Sequence, residues 1–172
     1  DLGIHLIDQA VSIFGPPEGV FARLFNQREG SVTDDSFDLK LIYPDLNVTL
    51  KASVFVKEPG PRLQVHGTQG SFVKYGLDVQ EAQLRKGKKP GSKGFGTEPA
   101  SQRGILNTAT FGKSFRGRYE TLPGNYMAFF DNVHAVITIS AEAIVKPGDA
   151  LLNIRIIEAA RTSNSQQRII QL

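Results

Sequence analysis

Two carboxylates and one imidazole fall on a single line of the helix that the first residues of the chain predict. Asp1, His5, Asp8 and Ser12 occupy positions i, i+4, i+7 and i+11, which lie above one another on an α-helix. Histidine titrates near neutral pH, and a neighbouring carboxylate can orient its ring and bind a hydroxyl group. The pattern therefore predicts proton transfer on a hydroxyl-bearing substrate. A helix-capping Asp1 beside a local His5–Asp8 pair would give the same spacing, and that structural interpretation stays open.

The rest of this helix, predicted over residues 1–14, is strongly apolar. It contains no Lys, Arg or Glu, whereas a helix on an ordinary protein surface carries a broad charged face. Roughly two-thirds of its circumference is therefore expected to be buried, which would leave the ionisable line facing a cleft. Gly3 costs ~1 kcal/mol relative to Ala inside a helix, so it predicts a close backbone approach, most simply against a sheet.

Strand-like segments fill the middle of the chain, and helices return near its end. Alternating or β-branched runs predict strands at 20–27, 36–43, 48–56, 62–66, 71–75, 105–111 and 115–121. Helical spacing predicts helices at 79–85, 125–140 and 150–163, and residues 86–104 predict a disordered loop or a flap. This order predicts an α+β fold with an open, mostly antiparallel (mixed) β-sheet and helices on one face, as a single domain over residues 1–172.

Apolar residues occur on both faces of the predicted strands. Helices are expected on one face only, so the other is expected to be an open apolar surface through which the chain forms a homodimer or homotetramer. The residues assigned to this open face are Phe37, Leu39, Leu41, Tyr43, Val54 and Val56.

Composition excludes several classes of protein. The chain has 20 Lys and Arg against 17 Asp and Glu, and its basic clusters at 85–93 and 113–118 read most simply as solvated surface, so no nucleic-acid partner is expected. No apolar run could span a bilayer, so no membrane partner is expected. The absence of cysteine excludes disulfides and agrees with a cytoplasmic location. His5, His66 and His134 lack paired metal-ligand spacing, so no metal site is expected.

The opening segment, DLGIHLID, resembles the D-x-G-x-H-x-x-D helix that begins the C-terminal domain of the Gfo/Idh/MocA oxidoreductases, the glucose–fructose oxidoreductase and inositol dehydrogenase family. Later segments resemble a branch that includes NADP-dependent scyllo-inositol dehydrogenase, and they are VHGT at 65–68, GSFVKYGLD at 70–78, GTEP at 96–99, GNY at 124–126 and DA at 149–150. The resemblance implies that His5 is the catalytic proton donor and acceptor at the carbon undergoing hydride transfer. It also implies that Asp1 and Asp8 bind substrate hydroxyls, and that the substrate is a sugar or polyol.

The same resemblance implies a cofactor, NADP or NAD, that this chain cannot bind alone. The chain has neither a GxGxxG motif after a strand nor a GxxxxGK[ST] motif, so it lacks a phosphate-binding loop of its own. In the family, that loop and a catalytic Lys belong to an N-terminal Rossmann domain. The chain is therefore expected to be the substrate-binding and assembly half of a longer enzyme, inactive by itself. A non-catalytic scaffold or sensor with the same fold is the alternative, and the presence of His5 argues against it.

Overall fold

The computed structural model describes residues 2–110 and 112–172, which fold into two compact units. The first unit comprises the chain up to Val56 together with Val145–Leu172, and the second comprises Lys57–Ile144. In chain order the elements are α1 (Leu2–Phe14), β1 (Gly19–Phe25), β2 (Ser36–Ile42), β3 (Asn47–Ser53), β4 (Leu63–Gly67), β5 (Gly70–Lys74), α2 (Gln80–Arg85), a short 3-10 helix (Ala100–Gln102), β6 (Gly104–Thr110), β7 (Lys113–Tyr119), α3 (Tyr126–Ile139), α4 (Pro147–Gln166) and β8 (Ile170–Gln171).

The first unit packs α1 and α4 against a four-stranded antiparallel sheet. Its strand order is β3-β2-β1-β8, so the last strand of the chain pairs with the first. Strand residues alternate between buried and exposed positions, as in a sheet with one covered face. The core of this unit joins residues from both helices and three strands: Ile7, Ala10, Val20, Ala22, Leu39, Leu41, Val48, Ile156, Ala159 and Ala160.

The sheet face assigned to self-association in the sequence analysis is the face that the helices cover. Leu39 and Leu41 are 4% and 0% exposed, and Phe37 and Tyr43 pack against the same core. The opposite face is mixed, since it carries Phe21, Phe25 and Ile42 beside polar side chains. Among the polar ones is the Lys51–Asp38 ion pair at 3.1 Å. The assignment of these four residues to an open face was therefore wrong, because alternation shows that two faces differ but not which one the helices cover. Val54 and Val56 are exposed but follow the end of β3.

The second unit contains a four-stranded antiparallel sheet of order β4-β5-β6-β7, in which each strand pairs with its neighbour in the chain. One face is apolar and carries Val65, Phe72, Leu106, Phe115 and Tyr119, none of them buried. Glycines opposite the rings leave room for them, since an added Cβ at Gly104 would overlap the Phe72 ring. Asn125 caps the N-terminus of helix α3, and its side chain accepts a hydrogen bond from the Ala128 N–H.

Residues 86–104, predicted as a disordered loop or a flap, are hydrogen-bonded to their surroundings within the second unit. The Gln83 carboxamide accepts from the Gly96 N–H at 2.8 Å, and the Gly124 N–H donates to the Gly96 carbonyl at 3.0 Å. Glu98 is paired with Lys74 and Thr121. Isolated side-chain and backbone hydrogen bonds hold this stretch in place. It therefore needs no repeating apolar face, and its sequence shows no apolar periodicity.

The α+β class and the antiparallel pairing predicted from the sequence are confirmed. The strands form two four-stranded sheets, whereas one sheet was expected. The expectation was wrong because strand patterns do not identify which strands pair. The extent of a single domain over residues 1–172 stays a prediction. None of the helices in the described part of the chain has the length and apolar character required to cross a bilayer.

Candidate functional site

Helix α1 presents His5, Asp8 and Ser12 along its exposed side. Ile7 and Ala10, on the opposite side, are 1% and 4% exposed and belong to the core. His5 and Asp8 are three residues apart, so their side chains are neighbours on adjacent turns. Of the predicted ionisable line, His5, Asp8 and Ser12 are described by the structure, and they lie together on the exposed side of α1. Asp1, the other predicted carboxylate, lies outside the described residues.

The C-terminal end of α1 is fixed by contacts with its own turn and with the sheet. Gly15 adopts a positive φ of 79°, and its N–H donates to the Val11 carbonyl at 2.8 Å, as at many helix C-termini. The Tyr43 hydroxyl donates to the Gly15 carbonyl at 2.9 Å. Burial raises the pKa of Tyr43, which keeps this hydroxyl protonated as a donor. These bonds set the direction in which α1 displays His5 and Asp8.

Gly3 faces the ring of Phe37 on β2, in agreement with the expected approach of the helix to a sheet. A Cβ added to Gly3 would lie 3.5 Å from Cε1 of that ring, which is an ordinary van der Waals distance. An alanine would therefore fit at this position. The approach is close enough to bury α1 but does not require glycine.

Asp8 has a partner that the sequence analysis did not identify. Nδ2 of Asn153 on α4 donates a hydrogen bond to Oδ1 of Asp8 at 2.7 Å. Asn153 is 4% exposed and occupies the core side of α4 together with Ile156 and Ala160. The available signal was a polar residue at helical spacing with Ile156 and Ala160, but the helix predicted at 150–163 was not assigned a buried face that includes Asn153.

The second unit contains a separate group of charged residues in which each member has a partner. Lys74 binds Glu98, which also accepts a hydrogen bond from Thr121. Burial by itself would raise the pKa of Glu98, but the hydrogen bonds from Lys74 and Thr121 and the charges of Lys74 and Arg103 lower it overall. The network holds Glu98 and the Gln102 carbonyl against Lys74 of β5, since the Lys74 ammonium also donates to that carbonyl at 3.0 Å.

The two other histidines occupy different settings from His5. His66 Nδ1 lies 2.8 Å from Ser71 Oγ, and the two are cross-strand partners, with His66 exposed on β4 and Ser71 half-buried on β5. His134 lies on the exposed surface of α3. Within residues 2–110 and 112–172, no three His, Asp or Glu side chains form a group that could hold a metal ion.

Comparison with known proteins gives consistent results over the whole chain. The family model described as "Oxidoreductase family, C-terminal alpha/beta domain", of the Gfo/Idh/MocA group, matches residues 1–172. The chain is 38% identical over 175 aligned positions to the scyllo-inositol 2-dehydrogenase (NADP(+)) IolW of Bacillus subtilis (strain 168), an alignment that covers 100% of this chain and 48% of that protein. The chain thus spans about half the length of this relative.

Solved structures agree with the fold. The yvaA structure from Bacillus subtilis is 37% identical with a TM-score of 0.94, and the match covers 100% of this chain and 51% of that one. An oxidoreductase from Bacillus cereus is 35% identical with a TM-score of 0.87, covering 99% of this chain and 51% of that one.

Proposed function

The chain belongs to the Gfo/Idh/MocA oxidoreductases as a C-terminal alpha/beta domain, and from this we propose that it is the substrate-binding half of an NAD(P)-dependent dehydrogenase. The proposed reaction transfers hydride between a nicotinamide cofactor and a secondary alcohol of a sugar or an inositol-like polyol. The observation that carries the proposal is the exposure of His5 and Asp8 on adjacent turns of a helix whose other side is buried. The identity with a protein named as a scyllo-inositol dehydrogenase supports the substrate class.

In this proposal His5 is the general base. Oxidation of a secondary alcohol removes the hydroxyl proton as the hydride departs, and the imidazole of His5 takes that proton and returns it in the reverse direction. Such a positioned group contributes about 10²–10⁴-fold to a reaction rate. The proposed role of Asp8 is to accept a hydrogen bond from a neighbouring hydroxyl, and Asp1 is proposed to bind a second one. A carboxylate left without its hydroxyl would discriminate against deoxy analogues.

The proposed cofactor is NADP or NAD, which supplies the hydride acceptor when it is bound. This chain contains no glycine-rich phosphate loop, so its own residues do not fit the dinucleotide phosphates. We propose that a dinucleotide-binding domain outside this sequence holds most of the cofactor. The contribution of the chain is then to bind and orient the alcohol and to exchange its proton.

A scaffold or sensor with the same fold is the alternative function. Such a protein would bind a ligand without turning it over, and it would have no use for a titrating group at position 5. The presence of His5 beside Asp8 favours the enzyme. Substitution of His5 separates the two functions, because it would abolish turnover in an enzyme and leave ligand binding intact in a sensor.

For assembly, we propose that the chain forms a homodimer or homotetramer through a sheet face. The face that we propose is the apolar face of the sheet in the second unit. Its apolar face exposes 39% of Val65, 49% of Phe115 and 56% of Tyr119. An exposed apolar surface of this kind is typical of a contact with a second copy, which can present the same patch about a two-fold axis.

The proposed function is tested by assaying the longer protein that carries this chain together with a dinucleotide-binding domain. Purified protein is incubated with NADP or NAD and a panel of inositols, aldoses and alditols, and nicotinamide absorbance is followed. Reduction of the cofactor by at least one polyol, lost in the His5→Asn variant, is the expected result. A folded protein that binds the cofactor but oxidises no member of the panel would contradict the proposal.

A further inference from the structure

We propose that Asn153 is a positioning residue for substrate binding, which fixes the carboxylate of Asp8 so that its free oxygen meets a substrate hydroxyl. The inference rests on the proposed function of the site. It assigns a role to a residue on α4 that lies on a different helix from the motif and does not need to touch the substrate.

The contact between the two residues is short and shielded. Asn153 Nδ2 lies 2.7 Å from Asp8 Oδ1, and Asn153 is 4% exposed. A hydrogen bond to a charged acceptor is stronger than one between neutral groups, and burial of the donor protects it from competition with water. The buried amide therefore limits the rotamers that the exposed Asp8 side chain can adopt.

The other end of the amide indicates what this position is for. Oδ1 of Asn153 is buried and has no hydrogen-bond partner among the described residues. An unpaired buried acceptor destabilises a folded protein, whereas an apolar side chain of the same shape would not. Packing alone would favour leucine at this position. Asparagine differs from leucine in having an N–H donor, and this donor is directed at Asp8.

The orientation of the amide follows from charge. A half-turn of the carboxamide would place its oxygen against the carboxylate of Asp8, where two acceptors repel each other. Only the orientation that directs Nδ2 at Oδ1 of Asp8 makes this hydrogen bond, and it leaves Asn153 Oδ1 unpaired. The orphaned oxygen is thus a direct consequence of holding Asp8.

Asp8 retains one oxygen for a ligand. Its Oδ1 accepts from Asn153, and within the described part of the chain Oδ2 has no polar partner. The side chain is exposed on α1, on the turn that follows His5. A polyol hydroxyl bound by Oδ2 would therefore be placed relative to His5 by a carboxylate whose position Asn153 determines.

Ser163 provides a matched control on the same helix. It is also polar, 0% exposed and on the core side of α4, where its hydroxyl donates to the Arg168 carbonyl at 2.6 Å and accepts from the Ala22 N–H at 3.0 Å. These bonds connect α4 to the backbone near β1 and β8 and do not involve Asp8. Ser163→Ala should destabilise the fold without a specific effect on substrate binding.

The test uses the longer, cofactor-binding protein and compares Asn153→Leu with Ser163→Ala. Asn153→Leu keeps the shape of the side chain and removes both the donor and the orphaned oxygen. We expect KM for the polyol to rise about tenfold, kcat to change less than about threefold, and Tm to stay constant or increase. Ser163→Ala should lower Tm and leave KM unchanged. An unchanged KM in a folded Asn153→Leu protein would overturn the inference.

A double-mutant cycle shows whether Asn153 acts through Asp8. In an Asp8→Leu background, Asn153→Leu should change KM by no more than about twofold, because its target is already absent. A full tenfold effect in that background would mean that Asn153 acts by another route, and would overturn the proposal.

A readout independent of turnover separates this inference from the proposed function. If the wild-type protein oxidises no polyol, the proposed function fails, and the positioning role is decided by crystal structures of the wild type and Asn153→Leu. A single Asp8 rotamer in contact with Asn153, replaced by several rotamers in the variant, supports positioning. The same single rotamer in both structures overturns it.

Discussion

Nδ2 of Asn153 and Oδ1 of Asp8 lie 2.7 Å apart, although the two residues are separated by 145 positions in the chain. This bond connects the helix that carries the candidate site to the long helix near the C-terminus, and both helices pack on the same sheet. The position of the candidate substrate-binding carboxylate therefore depends on a residue outside the motif. Among the described residues, His5, one turn earlier, has no such bond to the core, so the two side chains should respond differently to substitution.

The first prediction concerns His5. In the longer protein, His5→Asn should lower kcat by about 10²–10⁴-fold, because the group that exchanges the hydroxyl proton is removed. Tm should change little, since the side chain is exposed and lies outside the core. Steady-state kinetics and thermal unfolding measure the two effects. Ser12→Ala, on the same exposed line, is the control and should retain activity. Near-normal turnover by His5→Asn would mean that another residue moves the proton.

The second prediction concerns the cofactor. The isolated 172-residue chain should bind neither NAD nor NADP and oxidise no polyol, because no glycine-rich loop is present to hold the phosphates. Isothermal titration calorimetry at micromolar protein should give no saturable heat with either dinucleotide. The longer protein, titrated in parallel, is the positive control. Saturable micromolar binding by the isolated chain would show that it contains a dinucleotide site of its own.

The third prediction concerns pH. Hydrogen bonds from the Gln27 N–H and from the backbone and side chain of Arg28 outweigh the effect of burial and lower the pKa of Asp35. A carboxyl whose pKa is lower in the folded state than in the unfolded state stabilises the fold above its unfolded pKa of about 3.9. Asp35→Asn should therefore be less stable than the wild type at pH 7 and pH 5. The difference should shrink as pH falls below about 4.

Urea unfolding of the isolated chain at several pH values measures this difference. Asp34→Asn is the control for Asp35→Asn, because the Asp34 side chain is 37% exposed and forms a long ion pair with Arg161 at 3.9 Å. It should give a smaller loss at neutral pH. A stability difference for Asp35→Asn that does not change between pH 7 and pH 3 would exclude the ionised carboxylate as its cause.

The fourth prediction separates backbone strain from overlap at two glycines. Gly96 and Gly91 both have positive φ, 76° and 78°, so alanine strains the backbone at each. At Gly96 a Cβ would also overlap the Gly124 carbonyl oxygen, whereas at Gly91 nothing lies within 4 Å. Gly91→Ala should cost ~1 kcal/mol of unfolding free energy, and Gly96→Ala should cost clearly more. Equal costs would indicate that residues 94–97 move aside without penalty.

The fifth prediction concerns assembly. The isolated chain should sediment at micromolar concentration with a mass near twice 18.8 kDa or above, because the apolar face of the second sheet is available to another copy. Phe115→Lys, which places a charge on that face, should yield a monomer. Gln64→Lys, on the opposite face of β4, should not. A monomeric wild type would contradict self-association of the chain. Dimers that survive Phe115→Lys would mean that the interface lies on another surface.

The amino-acid sequence by itself determined the elements of the fold and the residues of the motif. Helix α1 was predicted over residues 1–14 and observed as Leu2–Phe14, since its apolar and ionisable positions repeat with the helical period. The strand at 36–43 was predicted from alternation and observed as Ser36–Ile42. These properties depend on residues close together in the chain, so a local pattern is sufficient to identify them.

Only the tertiary structure decided which of these elements meet. Residues at 36–43 alternate in polarity, but the packing of α1 and α4 determined that Leu39 and Leu41 face the core. Asn153 became the partner of Asp8 because both helices pack side by side on one sheet. The pairing of β8 with β1 has the same origin. A periodic pattern records how each side chain projects from its own element, whereas long-range contacts depend on the relative placement of elements, which no local spacing specifies.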